Sequence, residues 1–286
     1  MAVKVRTMSN GIRELQVRCE PWSEVMHDRF VQERCSGILV GCPRSEETRE
    51  IDYLMSLPKL LSLRLLNGIA DYSPIAGLTD LQHLQFSSDA RHPLDLTTLT
   101  RLRTLEAPHA VCAASLSALI NLEELIVVDW PTGNFEVLGA KPSLTWLRVE
   151  LRRRALVAST GLAALSNLTR LTLCNGRLQD VNDVAFLQRL VWFEVHGTKV
   201  SSLAFSSSLA VLQKLEIEDG GTLASLRPLS KHPSISTVIL AGSTSVADGD
   251  LDVLWEMPAL SGVALTHKSH YNRMSAEVAQ SFSLPH

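Results

Sequence analysis

Three stretches decide the fold: Leu144-Thr145-Trp146-Leu147-Arg148-Val149-Glu150, Leu168-Thr169-Arg170-Leu171-Thr172-Leu173-Cys174 and Leu190-Val191-Trp192-Phe193-Glu194-Val195-His196. Each places an apolar residue at its first, fourth and sixth positions. The last two apolar positions are two apart, the alternation of a short strand with one face buried. The first position, three residues earlier, turns the chain into that strand. The same pattern runs outward in both directions. It appears as Leu60/Leu63/Leu65, Leu81/Leu84/Phe86, Leu102/Leu105/Ala107 and Leu122/Leu125/Val127, and again as Leu212/Leu215/Ile217, Ile235/Val238/Leu240 and Leu260/Val263/Leu265. That makes ten clear copies, spaced 20 to 25 residues apart, preceded by two degenerate ones at Ile12/Leu15/Val17 and Cys35/Ile38/Val40.

Turn formers follow the strands, among them Asn67-Gly68, Asn175-Gly176, His196-Gly197 and Asp219-Gly220-Gly221. An apolar segment then returns, as at Ile75/Leu78, Leu162/Leu165, Val184/Leu187 and Leu251/Leu254. One such coil cannot bury its leucines alone. Coils stacked at about 4.8 Å per strand share a continuous parallel sheet and a continuous core. A strand–helix–strand reading needs crossovers of about ten or more residues. Several returns are shorter and contain proline, as in Tyr72-Ser73-Pro74-Ile75, so they are expected to be short 3₁₀, irregular or helical turns.

Composition agrees. Leucine supplies 47 of 286 residues, and 45% of the chain is hydrophobic, which excludes a disordered or collagen-like polypeptide. With 27 basic and 30 acidic residues the formal net charge is −3, so no basic excess exists to hold a phosphate backbone. Nucleic acid is therefore not an expected partner. Nor is a membrane, because no stretch approaches the roughly 18 uninterrupted apolar residues of a span. Met1 to Pro21 carries charges throughout and lacks an apolar run, so no secretory signal is read and a cytoplasmic location is expected. The five cysteines (Cys19, Cys35, Cys42, Cys112, Cys174) form no CxxC pair and read as reduced thiols.

The repeats resemble the leucine-rich repeat family, whose pattern is LxxLxLxxNxL, over roughly residues 10–267. Ser73-Pro74-Ile75-Ala76-Gly77-Leu78-Thr79-Asp80-Leu81 looks like the bacterial internalin-type repeat, and Val246-Ala247-Asp248-Gly249-Asp250-Leu251 like the short bacterial type. The resemblance implies an α/β solenoid, a right-handed horseshoe with parallel strands on its concave face and ligand binding there. One domain is expected over 1–286. Its parts are an N-terminal cap at 1–45 that includes the degenerate copies, regular repeats at 46–267, and a C-terminal cap or tail at 268–286. The family's asparagine ladder is largely missing: the corresponding positions read Gly68, Asp89, Ala110, Gly176 and Thr198.

Residues that alternate with the buried ones face outward and form columns down the stack. In the middle coils these columns gather Ile126, Val128, Trp146, Arg148, Arg170, Trp192, Glu194 and His196, with Glu216 and Glu218 one coil on. Trp and Arg bury much area and keep a polar handle, which makes them frequent interface anchors. Two Trp flanking an Arg in one column predict an aromatic–cation stack. The expected function is non-enzymatic recognition or scaffolding of another protein or peptide, by a monomer or an end-to-end dimer. The bland alternative is a face that merely screens the leucines. Two further alternatives remain open. Cys174, His196 and Glu218 share a column and have the residue types of thiol catalysis. The Trp pair is also a candidate cage for a peptide or small molecule. No cofactor motif is read: Gly220-Gly221 is a turn, and His83, His92 and His109 sit in different columns, so no metal ligands are assigned.

Overall fold

The apolar positions of the repeats meet in register. The computed structural model describes residues 3–18, 20–41 and 50–282. The sequence predicts one array over 1–286; the residues divide into two compact units, Met1–Val128 and Asp129–His286, each built of the same coils.

In the first unit, β1 (Lys4–Thr7) pairs antiparallel with β2 (Arg13–Arg18). The helix α1 (Glu24–Gln32) leads to β3 (Gly37–Gly41) and buries Met26 and Phe30. Next come β4 (Ser62–Leu65), β5 (His83–Gln85), β6 (Thr104–Pro108), the short helix α2 (His109–Cys112) and β7 (Glu124–Trp130). From β2 onward the pairing is parallel, and Leu15, Ile38, Leu63, Leu84, Leu105 and Leu125 stand opposite one another along the sheet. The two degenerate copies are thus full members of the ladder. The antiparallel β1 and the helix α1 were not legible in the repeat pattern, because neither carries it. Residues 42–45 of the expected N-terminal cap lie outside the described residues, as do Cys19 and Cys42.

The second unit contains β8 (Trp146–Leu151), β9 (Leu156–Val157), β10 (Arg170–Cys174), β11 (Arg177–Leu178), β12 (Trp192–His196) and β13 (Lys214–Glu218). It continues with β14 (Thr222–Leu223), β15 (Thr237–Ala241), β16 (Ser245–Val246) and β17 (Gly262–Leu265). The main strands run parallel in the order β8-β10-β12-β13-β15-β17, with Leu147, Leu171, Phe193, Leu215, Val238 and Val263 in register. All six are buried. Two small parallel pairs, β9 with β11 and β14 with β16, form where the chain leaves the main strands. The sequence did not announce them, since two residues are too few to show alternation.

Most returns contain a 3₁₀ turn, while the one between β5 and β6 is irregular and the one after β6 opens with α2, within the expected range of 3₁₀, irregular or helical turns. Ser73–Gly77 and Arg227–Leu229 each hold a proline in the first turn. Leu162, Val184, Leu229 and Leu254 from such turns close the core of the second unit. The missing asparagine ladder is replaced by scattered side chains. Buried Thr244 Oγ1 accepts from the Gly220 N–H at 3.0 Å and donates to the Ile217 carbonyl at 2.9 Å. Thr198, also buried, donates to the Asn175 carbonyl. Buried His232 bonds the Leu209 carbonyl through Nε2 at 3.1 Å and accepts two backbone N–H groups at Nδ1. Burial holds its pKa below the usual imidazole value. Each satisfies backbone groups that would otherwise cost about 1–3 kcal/mol. At the far end α3 (Ser275–Ser281) buries Val278, and Phe282 packs on Trp255 at 5.2 Å between ring centroids; residues 283–286 of the expected C-terminal cap or tail lie outside the described residues.

Gly161 tests this packing. Its φ is +98°, and an added Cβ would stand 2.5 Å from the backbone of Phe135 and Glu136. Gly161→Ala should therefore destabilise the second unit by more than about 1 kcal/mol, seen as a lowered thermal midpoint. An unchanged midpoint would contradict the close approach of these two coils.

Candidate protein-binding face

The columns read from the sequence are the columns of the second unit. Trp146, Arg170, Trp192 and Lys214 occupy one, Arg148, Thr172, Glu194 and Glu216 the next, and Glu150, Cys174, His196 and Glu218 the third. Parallel strands about 4.8 Å apart bring such neighbours into contact.

The Arg170 guanidinium carbon lies 5.1 Å from the Trp146 ring centroid and 4.9 Å from that of Trp192. The cation is thus held between two aromatic faces, each such contact contributing about 0.5–1 kcal/mol at a partly exposed site. Glu194 fixes it from the adjacent column. Its Oε2 accepts from Arg170 Nη2 at 2.8 Å, Arg170 Nε at 3.3 Å and Thr172 Oγ1 at 2.9 Å. Lys214 Nζ donates to Oε1 at 3.1 Å and reaches Glu216 at 2.6 Å. Burial alone would push the Glu194 carboxyl up; the donors on Arg170, Lys214 and Thr172 outweigh it and hold the group below the usual carboxylate range.

This geometry corrects one expectation. Glu194 points to the outward face yet is only 4% exposed, because longer neighbours close over it. It is a support and not a contact residue. Trp192 remains 41% exposed. Trp146 is half-buried, and among the described residues its enclosed indole N–H finds no hydrogen-bond partner. Among the described residues no hydrogen bond or ion pair engages the Arg148 side chain. His196 Nδ1 lies 3.2 Å from Glu218 Oε2. Donor atoms of His196, Glu216 and Glu218 fall within 4.8 Å of one another, although Lys214 already holds Glu216. Ile126 and Val128 are half-buried on β7 of the first unit.

Cys174 does share its column with His196 and Glu218, but the chemistry is unfavourable. The thiol is 5% exposed, and burial, with Glu150 and Glu194 adding to it against Arg148, pushes its pKa up. A nucleophilic cysteine needs the opposite shift. The two structural partners that sequence reasoning passed over are Thr172 and Lys214. Both stood in the columns; what hid them was the expectation that outward residues are exposed.

No family model matches the sequence, and no curated protein matches it. Solved structures do. An internalin from Listeria monocytogenes superposes with a TM-score of 0.63 at 17% identity, covering 90% of this chain and 81% of that one. A plant peptide hormone receptor, RGFR1, solved in complex with RGF2, gives 0.52 at 12% identity, covering 92% of this chain and 56% of that one. The fold is a leucine-rich repeat fold. One stretch of the strand columns is braced by the buried Glu194 carboxylate.

That brace carries a pH dependence. Because the folded-state pKa of Glu194 is depressed, its contribution is present above the ordinary glutamate range and is lost as pH falls through the folded value. Glu194→Gln should lower stability at neutral pH by about 1–3 kcal/mol. The gap between wild type and variant should close as pH drops below about 4, measured by urea unfolding across pH. A gap that stayed constant on acidification would remove Glu194 as the anchoring charge.

Proposed function

We propose that the outward face of β8, β10, β12 and β13 recognises a protein or peptide partner and carries out no chemistry. The single observation behind this reading is the pre-organised Trp146–Arg170–Trp192 stack, locked from the side by Glu194. A large, already ordered aromatic surface loses little side-chain entropy on binding, which is what an interface anchor requires. Exposed Trp192, half-buried Arg148 and the His196–Glu218 pair supply the contacts. Trp146, Arg170, Glu194 and Lys214 supply the rigid base. Cationic Arg148 on β8 and acidic Glu216 and Glu218 on β13, three strands along the sheet, suit an oriented partner of mixed charge. The plant receptor with the same fold was solved with a bound partner, which is in keeping with this use.

Two rival readings fit less well. The buried Cys174 thiol, with its raised pKa, opposes thiolate catalysis. A Trp cage open to an outside cation is opposed by Arg170, which already fills the space between the rings.

Affinity capture tests the proposal, with wild type beside a Trp192→Ala/Arg148→Ala variant whose thermal melt matches it. The expected result is a protein retained by wild type and weakened at least about tenfold by the variant, as for truncation of interface anchors. Equal retention by both proteins would overturn the assignment of this face.

A further inference from the structure

A second site lies in the first unit. A groove of about 580 Å³ opens there on the outward face of β4 to β7. Its wall is the β1–β2 turn, Met8 to Asn10, which is tied to the sheet by Asn10 Nδ2 at 3.3 Å from His83 Nε2. The turn itself is fixed by Asn10 Oδ1, which accepts from the Ile12 N–H at 3.1 Å.

The two ends of the groove differ in how their charges are met. At one end Arg64 is satisfied: Nη1 lies 3.4 Å from both oxygens of the fully buried Glu14, and Nε donates to Gln85 at 2.8 Å. In the middle His83 bonds Thr104 Oγ1 at 2.7 Å, and burial holds its pKa below the usual value, so the ring adds no charge at neutral pH. At the other end stand Glu106 on β6 and Glu124 on β7. The register pairs Thr104 with Glu124 and Glu106 with Ile126, so the two carboxylates are diagonal neighbours, with Cα atoms about 8 Å apart from one strand spacing and two residue rises. Among the described residues neither carboxylate has a hydrogen bond or an ion pair. The remaining cation of the lining, Arg6, is solvent-exposed on β1, at the other end of the strand order.

We propose that this groove is a subsite for one basic side chain, Lys or Arg, of a peptide or protein partner. Glu106 and Glu124 hold the cationic head from two sides, and a guanidinium fits such a pair through separate N–H donors. Half-buried Ile126, opposite Glu106 in the register, covers the aliphatic stem, as long basic side chains require. The site is formed wholly within Met1–Val128 and does not depend on the reading of the second unit's face.

The test is titration of the capped tripeptide Gly-Arg-Gly into the ¹⁵N-labelled full chain, with Gly-norleucine-Gly and Gly-Glu-Gly as controls. The expected result is a saturable shift of the Glu106, Glu124 and Ile126 amides with the arginine peptide alone. Glu106→Gln/Glu124→Gln, with a melt matching wild type, should weaken it at least about tenfold, one Kd decade. Trp192→Ala/Arg148→Ala should leave it unchanged, which separates this site from the other face. No saturable shift by about 10 mM peptide, an equal response to the glutamate peptide, or wild-type binding by the double variant would overturn the proposal. So would saturation by spermidine without any response to the arginine peptide.

Discussion

Backbone hydrogen bonding between parallel strands sets neighbouring chains about 4.8 Å apart and fixes which side chains meet. In each unit the register is continuous: Leu15 through Leu125 in the first, Leu147 through Val263 in the second. A slip of one residue in any pairing would turn leucines to water and bring the outward columns into the core. The hydrophobic ladder on one face thus dictates the arrangement on the other. Trp146, Arg170 and Trp192 touch because Leu147, Leu171 and Phe193 are aligned beneath them.

The outward face of the second unit then has its own internal economy of charge. A carboxylate buried without partners would stay protonated or unfold its surroundings. Glu194 instead accepts from Arg170, Thr172 and Lys214, and in doing so holds the guanidinium between two rings. The cost of desolvating these groups is met by their mutual bonds, so the gain is geometric order more than net stability. Such order matters for recognition, because a side chain that is already fixed gives up little freedom when a partner arrives.

Much of this was legible in the sequence, and the limits have physical causes. The period of the leucines exposed the strands, the 3₁₀ returns and all three columns, because a repeat restates its own register in every copy. The stack of Arg170 between two tryptophans followed from those columns. Burial of Glu194 did not, because alternation says which way a side chain points and not what closes over it. The antiparallel β1, α1 and the two-residue pairs were missed because they fall outside the period. The groove beside the β1–β2 turn was missed for the same reason: its wall comes from the segment before the clear repeats, and Glu106 and Glu124 belong to no motif that would single them out.

The register and the stack it creates are tested most directly by the NMR shift of the Arg170 side chain. Two aromatic faces at about 5 Å shield a cation held between them through their ring currents. The Arg170 Hδ and Hε resonances should therefore lie well upfield of their random-coil positions, and Trp192→Ala should move them back about half-way. Resonances at random-coil values in wild type, unaffected by Trp192→Ala, would contradict the stacked register on which this account of the face rests.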